Sequence, residues 1–413
     1  MDTRTIKNTV KRIMPKPLFN AARSVLQRWH VQKIAAIHPA PFEQEAFPKG
    51  INVAGYFQQE SGLGQSSRLL AKGVEATGIP HTYLSADLEG LTSDSSFTGK
   101  IETEFNYGVN LFCVNMGDFY EVLSRYDRSV FDKHYNIAFW LWELDTFPKE
   151  WIPYIDVLDE VWTPSEFVSD AIRKVTDKPV TTIPYAIEAP VDEQYDRKYF
   201  GLPEDKFLFL MMYDSNSIAE RKNPMGVIEA FRKAFNKDDN VGLVIKMTHG
   251  TKEEVEYLEK LLEGYPIYLM PGVRSKVEVN SLIKAVDVYV SLHRGEGFGL
   301  VPAEAMYLGT PVIATRYSAT LDFQDDNCAC LVDYELVPIG KDLGPYKKEN
   351  HWADPNLDQA AEYMKKLYND PDYYKKIREN GKKQIDEVLS VGRVKGLIQK
   401  RLGEIYGSLE GII

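Results

Sequence analysis

Two glutamates and three glycines stand close together in the segment Arg294–Met306. Glu296 lies among the glycines, and Glu304 follows it with seven residues between them. The glycines are Gly295, Gly297 and Gly299. A loop of this kind lets backbone N–H groups approach an anion, and flanking carboxylates can accept hydrogen bonds from hydroxyl groups. The pattern therefore predicts a ligand with a diphosphate in its centre and a sugar at each end, which is a nucleotide sugar.

The glycine segment is predicted to join a buried strand to a helix. Val286–Leu292 is apolar and β-branched, as a strand inside a parallel sheet would be. Pro302–Leu308 is predicted to be a helix, because proline is tolerated in a first turn, and Glu304 then falls in that turn. The helix N-terminus and the preceding amides would face the phosphates. The donor-binding residues in this prediction are Gly297, Phe298, Gly299 and Leu300.

A basic pair follows another predicted strand. Phe207–Met212 is a continuous apolar run, and Glu220–Pro224 then leads into a predicted helix, Met225–Phe235. Within that junction, Arg221 and Lys222 can face a diphosphate. The alternative is a solvated helix face, and Arg221 in particular could point outward.

Two further strand ends carry donor-side candidates. Lys246 lies near the end of the predicted strand Val241–Met247 and could approach the nucleotide, or it could be a surface lysine. Gly62 and Gly64 follow the predicted strand Ile51–Phe57 and form a glycine turn before a predicted helix, which by itself could be no more than a tight turn. As a dinucleotide fingerprint this turn is incomplete, because its third glycine position is occupied by serine.

The acceptor side is marked by polar and aromatic residues at predicted strand ends. Trp142 and Glu143 end the predicted strand Tyr135–Trp142, where open α/β sheets place ligands. Glu143 could contact an acceptor sugar and Trp142 could stack on one, although a core tryptophan is an equally good reading. Asp118 occupies a similar place after Val109–Val114.

Composition sets outer limits on the class of protein. A chain of 413 residues is long enough for about two domains. It has no run of about eighteen apolar residues and no apolar segment after its basic start, so we expect neither a transmembrane helix nor a signal peptide. Three cysteines, without a C-x-x-C pair, argue against a disulfide framework or zinc site and favour a reducing cytoplasm.

The charge is unevenly distributed. The whole chain carries −11, residues 1–40 carry +7 and the remainder carries −18. An acidic body argues against nucleic-acid binding. Residues 1–45 are interpreted as a basic amphipathic extension, of which residues 1–33 could lie on an anionic membrane, peripherally on the inner face of the plasma membrane, or pack on the protein's own surface. If the membrane reading is right, deleting residues 1–33 moves the protein to the soluble fraction.

The motifs together resemble the retaining GT-B glycosyltransferases of family 4. The likeness rests on Glu296-x7-Glu304 and on the segment Gly309–Ala314 that follows it, and it extends through Glu220–Pro224 and Ser318–Phe323. It covers the chain from about residue 50 onward, most specifically its C-terminal half.

The resemblance implies roles for individual residues. Lys222 matches the family's lysine on the donor diphosphate, with Arg221 beside it, whereas the family's usual second cation, upstream, has no counterpart in Tyr213–Ser217. Glu296 would hold donor-sugar hydroxyls and Glu304 the ribose hydroxyls. In similar enzymes the N-terminal glycine loop lies against the donor's phosphate and sugar, and the resemblance implies that role for Gly62 and Gly64. The implied activity is retaining, metal-independent transfer of a hexosyl group to a glycan or lipid-linked glycan acceptor, without a cofactor. Front-face and double-displacement routes both stay open, because no nucleophile is evident.

The implied architecture is α/β: two Rossmann-like domains facing an interdomain cleft. We expect an acceptor domain over residues 46–187, joined by a returning helix from about 390 to 413, and a nucleotide-sugar domain over residues 188–389. Surface polysaccharide or glycoconjugate synthesis in a bacterium would suit such an enzyme. Two rivals remain: a non-catalytic GT-B subunit that supports a partner transferase, and an NAD-dependent sugar-modifying enzyme.

Overall fold

The computed structural model describes residues 25–26, 29–34, 36–87, 97–215 and 217–411. Most of the segment predicted to contact a membrane, residues 1–24, therefore lies outside the described residues. The chain forms two units, one of residues 1–186 with 391–413 and one of residues 187–390. In the described part of the chain, no helix is both long and apolar enough to cross a bilayer.

The first unit is built on a seven-stranded parallel sheet with the order β3-β2-β1-β4-β5-β6-β7. Its strands are β1 (Ile51–Gly55), β2 (His81–Ser85), β3 (Ile101–Glu102), β4 (Val109–Cys113), β5 (Tyr135–Phe139), β6 (Glu160–Thr163) and β7 (Val180–Thr182). It also contains the helices α1 (Gly62–Thr77), α2 (Phe119–Leu123) and α3 (Glu166–Arg173). The central strands are fully buried, as continuous apolar runs in a parallel sheet require.

The second unit is built on a six-stranded parallel sheet with the order β10-β9-β8-β11-β12-β13. Its strands are β8 (Phe207–Asp214), β9 (Val241–Thr248), β10 (Ile267–Pro271), β11 (Val288–Ser291), β12 (Val312–Thr315) and β13 (Cys330–Val332), with a separate antiparallel pair, β14 (Tyr334–Pro338) and β15 (His351–Pro355). Its helices are α4 (Ala219–Lys222), α5 (Pro224–Ala234), α6 (Lys252–Leu262), α7 (Lys276–Ala285), α8 (Leu300–Tyr307), α9 (Leu357–Asn369) and α10 (Pro371–Val388).

The last helix, α11 (Val391–Tyr406), belongs to the first unit. It packs on α1, where a Cβ atom on Gly73 would lie 3.2 Å from the side chains of Val394 and Ile398. Arg401 on α11 makes a two-pronged ion pair with Glu160 of β6, at 2.9 and 2.8 Å, and Glu160 is completely buried. Shape and charge therefore both fix this helix in place.

The predicted class, α/β with two Rossmann-like domains of the GT-B type, is confirmed. In each sheet the strand order reverses once, between β1 and β4 in the first unit and between β8 and β11 in the second. Ligands of open α/β sheets bind at such switch points, outside the carboxyl ends of the strands. The strands β8 and β11 are those that precede the basic pair and the glycine loop.

Candidate active site

The site of the second unit forms where β8 and β11 end side by side. The chain leaves β8 for α4, which ends at Lys222, and it leaves β11 for the glycine loop, which ends at α8. Asn223 then takes a left-handed conformation, and its side chain caps α5 by accepting from the amide of Gly226. This cap stops α4 at Lys222 and starts a new helix in a new direction, which leaves the basic pair facing the loop.

Glu296 is the centre of the site. It is 7% exposed, and its Oε1 atom contacts the ammonium group of Lys222 and lies 3.3 Å from Nη1 of Arg221. Arg221 also donates to the carbonyl of Gly295 at 2.8 Å. The two predicted cations and the predicted carboxylate are thus brought together. Arg221 is itself buried, so the reading in which it points outward is wrong.

The charge state of Glu296 follows from these contacts. Burial alone would raise its pKa, but the positive charges of Lys222 and Arg221, with a smaller effect from His293, outweigh it and lower the pKa to about 2. The side chain is therefore a carboxylate near neutral pH, where it accepts hydrogen bonds and carries no proton to donate as a general acid.

The backbone of the glycine loop is held by Ser318. The Ser318 hydroxyl accepts from the amide of Glu296 at 2.9 Å and donates to the carbonyl of Tyr317 at 2.6 Å. Ser318 has a φ of +67°, a conformation that costs a non-glycine residue free energy. The strained serine therefore lies directly against the residue that we expect to contact the donor sugar.

His293 supports the same loop from inside. It is completely buried, with Nε2 at 3.1 Å from the carbonyl of Tyr317 and Nδ1 at 3.1 Å from the hydroxyl of Ser291. A second carbonyl, that of Ser291, lies 3.2 Å from Nδ1, and a neutral ring can donate to only one of the two. We assign the proton to Nε2, which leaves Nδ1 to accept from the Ser291 hydroxyl. Burial lowers the pKa of His293, which agrees with a neutral ring.

Helix α8 starts two residues earlier than predicted, at Leu300, so Glu304 lies in the second turn rather than the first. Proline is tolerated at Pro302 because the N–H groups of a first turn have no partner within the helix. Gly299 has a φ of +91°, and a Cβ atom there would lie 2.5 Å from Thr320. Among the described side chains, none caps this N-terminus. Its amides and dipole therefore suit an anion.

The side chain of Phe298 is closed to a ligand, so its predicted role in donor binding would fall to its backbone. Its side chain is 2% exposed and packs with Phe323, with ring centres 5.5 Å apart.

Glu304 is 1% exposed, and Nζ of Lys276 lies 2.6 Å from its Oε2 atom. This contact is an ion pair without hydrogen-bond geometry. Among the described residues, neither carboxylate oxygen of Glu304 has a hydrogen-bond partner. Both oxygens therefore keep the capacity to accept from a ligand's hydroxyl groups. Sequence reasoning missed Lys276, which occupies the first turn of α7 behind a serine capping box and gives no signal of its own.

Lys246 is 7% exposed, so it is not the surface lysine of the alternative reading. It lies in β9, and its ammonium group contacts the hydroxyl of Thr248 near the carboxyl end of that strand.

In the first unit, Gly62 and Gly64 open α1, and the side chain of Ser61 caps that helix by accepting from Gly64 N. A Cβ atom on Gly64 would lie 2.0 Å from the carbonyl of Gln59, whereas one on Gly62 would meet nothing within 4 Å. Glycine at 64 is thus a steric requirement of the turn, and glycine at 62 is not.

The acceptor-side residues have different environments. Trp142 is 2% exposed, its indole donates to the carbonyl of Thr146 and its ring packs on Trp151, so no ring face is open for the predicted stacking on a sugar. Strand β5 ends at Phe139, which leaves Trp142 and the half-buried Glu143 in the following segment. Asp118, also half-buried, accepts from the hydroxyl of Tyr56 at 3.1 Å.

Within the described ranges, no group of three His, Cys, Asp or Glu side chains is arranged to hold a metal ion. The one Asp-x-Asp motif of the sequence caps a helix, because Asp370 accepts from the amide of Tyr373 at the start of α10.

Residues 192–332 match the family model of the glycosyl transferases group 1. The chain is 25% identical over 251 residues to trehalose synthase of Rubrobacter xylanophilus, which covers 56% of this chain and 54% of that protein. It is 24% identical over 215 residues to an alpha-1,3/1,6-mannosyltransferase of Yarrowia lipolytica, covering 42% of this chain and 46% of the relative. The chain thus spans about half the length of these curated relatives.

Solved structures share the fold. The Anabaena protein HepE, in complex with UDP and glucose, aligns with a TM-score of 0.62 at 12% identity and covers 86% of this chain and 100% of its own. Sucrose-phosphate synthase from Thermosynechococcus elongatus aligns with a TM-score of 0.60 at 13% identity, covering 87% and 100%.

Proposed function

We propose that this chain, whose residues 192–332 match the family model of the group 1 glycosyltransferases and whose fold is GT-B, transfers a hexosyl group from a nucleotide diphosphate sugar to an acceptor hydroxyl with retention of configuration. The observation that carries the proposal is the buried carboxylate of Glu296, held between Lys222 and Arg221 in front of the N-terminus of α8. A carboxylate in this position can accept hydrogen bonds from sugar hydroxyls, while the neighbouring cation and the helix N-terminus stabilise a diphosphate.

Departure of the nucleotide breaks the bond between the anomeric carbon and the β-phosphate oxygen and leaves negative charge on that phosphate. The ammonium group of Lys222, the amides from Gly297 to Leu300 and the dipole of α8 would stabilise this charge. These groups supply positive potential of the kind that a metal ion supplies elsewhere, so we propose that turnover persists in the presence of a chelator.

Glu304 is proposed to bind the ribose. Its two oxygens have acceptor capacity left, and its position one turn into α8 lies beyond the phosphate-binding amides. Glu304→Ala should weaken donor binding about 5- to 150-fold, the equivalent of roughly 1–3 kcal/mol for a lost buried hydrogen-bonding group, with a smaller effect on kcat. Lys246, Gly62 and Gly64 are also proposed to line the donor site, with Asp118 and Glu143 on the acceptor side.

The acceptor is proposed to be a glycan or lipid-linked glycan of bacterial surface polysaccharide or glycoconjugate synthesis. Peripheral attachment through residues 1–33, on the cytoplasmic side, remains a prediction that the deletion experiment tests.

The first experiment is a screen of UDP-, GDP- and dTDP-sugars for thermal stabilisation, beginning with UDP-glucose because the HepE structures hold UDP with glucose. A ligand at 100 times its Kd stabilises the folded state by about 2.7 kcal/mol, which a melting curve detects. Release of nucleotide and the anomeric configuration of the product are then measured with the stabilising donor. Absence of both stabilisation and turnover with every donor would refute the proposal, and an inverted product would refute retention.

A further inference from the structure

The antiparallel hairpin β14–β15, with its connecting segment, forms an arm of residues 334–355. The arm was not predicted from the sequence, and it contacts the segments that precede Lys222, Glu296 and Ser318. The contacts are Lys341 Nζ with Glu220 Oε1 at 2.9 Å, the amide of Ala353 with the carbonyl of Arg294 at 3.0 Å, and the rings of Tyr334 and Tyr317 at 4.9 Å.

Arg294 contacts the arm through its side chain as well as through its carbonyl. Its Nη2 atom lies 2.7 Å from Oδ1 of Asp354, and its guanidinium stacks on the ring of Trp352 at 5.1 Å. Trp352 is 5% exposed, so its ring is fixed by packing. A charge-assisted hydrogen bond and a cation–π contact together hold one arginine side chain on the arm.

The backbone of Arg294 extends this link to α4. Its amide donates to the carbonyl of Arg221 at 2.8 Å, and Arg221 in turn donates to the carbonyl of Gly295 at 2.8 Å. These two bonds join Arg221, the residue before Lys222, to Arg294 and Gly295, the two residues before Glu296. The spacing of the Lys222 and Glu296 side chains is therefore supported by two bonds, one of which Arg294 makes through its amide.

The contact of Lys341 with Glu220 is weaker. The Lys341–Glu220 pair has side chains that are 65% and 43% exposed, and water and salt screen such pairs. Arg294, whose side chain is 25% exposed, is therefore a stronger link between the arm and the site than the tip of the arm is.

We propose that Trp352 and Asp354 are positioning residues, which hold Arg294 and through it the spacing of Lys222 and Glu296. The inference rests on the proposed function and adds to it an element outside the glycine loop and the basic pair. Misplacement of catalytic groups by about 1 Å can cost roughly a hundredfold in rate, so loss of this support is expected to reduce turnover.

The test compares Asp354→Ala with the matched control Glu335→Ala. Glu335 stands directly opposite Asp354 in the β14–β15 ladder, and its side chain is exposed. Both substitutions remove one negative charge from the same rung. Like charges in directly opposite positions destabilise a pair of strands, so removing either carboxylate should not destabilise the hairpin electrostatically.

With the donor that the thermal screen identifies, Asp354→Ala should lower kcat about tenfold to a hundredfold and change the donor KM less than about threefold. Glu335→Ala should keep the kcat of the parent. In combination with Arg294→Met, Asp354→Ala should cause no further loss, because both act through one contact. Fully additive losses, or equal kcat values for the two alanine variants, would overturn the proposal.

Hydrogen exchange supplies a readout that needs no turnover. The amides of Arg294 and Glu296 are hydrogen-bonded to Arg221 and Ser318, respectively. A peptide over residues 292–300 should therefore exchange its amide hydrogens at least about tenfold faster in Asp354→Ala than in the parent protein. In Glu335→Ala the same peptide should exchange at the parental rate. Unchanged exchange in Asp354→Ala counts against the proposal. If the parent protein turns over no donor, the proposed function fails, and the exchange experiment still decides whether the arm positions the loop.

Discussion

The ammonium group of Lys222 contacts the carboxylate of Glu296 across 74 positions of the sequence. The side chain of Lys222 is 26% exposed, whereas those of Arg221 and Glu296 are 8% and 9% exposed. A ligand can therefore reach Lys222, while Arg221 is enclosed between the carbonyl of Gly295 and the carboxylate. The two neighbouring cations have different tasks: Lys222 is suited to the departing phosphate, and Arg221 balances a buried charge.

This division gives a prediction for substitutions at the site. Lys222→Ala should lower turnover by orders of magnitude with little change in thermal stability, because Arg221 still pairs with Glu296. Glu296→Ala should also abolish turnover, but it should destabilise the protein by about 3–5 kcal/mol, since it leaves Arg221 buried without its partner. Kinetics and urea unfolding measure both effects. A Lys222→Ala protein with parental kcat would contradict the assignment.

The glycines of the first unit allow packing to be separated from binding. Gly62→Ala should fold normally, because the new Cβ atom meets nothing within 4 Å. Gly64→Ala should unfold at lower temperature, because its Cβ atom would lie 2.0 Å from the carbonyl of Gln59. If the donor lies against this turn, Gly62→Ala weakens donor binding without loss of stability. Unchanged donor affinity in that variant would remove Gly62 from the site.

Stability should fall as the pH drops below about 6.5. Burial lowers the pKa of His293, so in this range the unfolded chain binds a proton that the folded protein does not, and folding loses free energy. His293→Gln should show a smaller fall between pH 7 and pH 5.5. Part of the slope remains in that variant, because burial also lowers the pKa of His134.

The experiment is urea unfolding over that pH window. Glu296 does not interfere there, because its stabilising contribution is lost only as the pH falls below the ordinary glutamate pKa of 4.5 towards its own value of about 2. Identical slopes for the parent and His293→Gln would show that this ring does not contribute.

The returning helix α11 should depend on one buried ion pair. Arg401→Met leaves the completely buried Glu160 without its guanidinium partner, which should cost about 3–5 kcal/mol of the free energy of unfolding. Glu404 offers a control, since it contacts the same arginine from the surface. Glu404→Ala should change stability little, and an equal loss in both variants would contradict the role of burial.

Several parts of this site were readable in the sequence because their signals are local. Glycines beside Glu296, a proline in a first turn and apolar runs before each motif are chain-neighbour features, and they identified β8, β11 and the helix after the loop. The predicted start of α8 was wrong, because proline is tolerated at any of the first three positions of a helix and Pro302 is the third residue of α8.

The residues that were missed take their roles from distant partners. Lys276 gains a role only because Glu304 of another helix lies 2.6 Å from it. The arm has no strong strand pattern, since most residues of β14 are partly or fully exposed, and its order comes from contacts such as that of Trp352 with Arg294.

The sequence by itself determined the two parallel α/β sheets and the chemical groups available at their strand ends, because hydrophobic runs and turn residues act over a few positions. Only the tertiary structure decided which groups meet: it turned Arg221 inward to Gly295, closed Trp142 against Trp151 and placed a hairpin on Arg294. Burial, ion pairing and side-chain stacking depend on distances between segments far apart in the chain, and no local pattern encodes those distances.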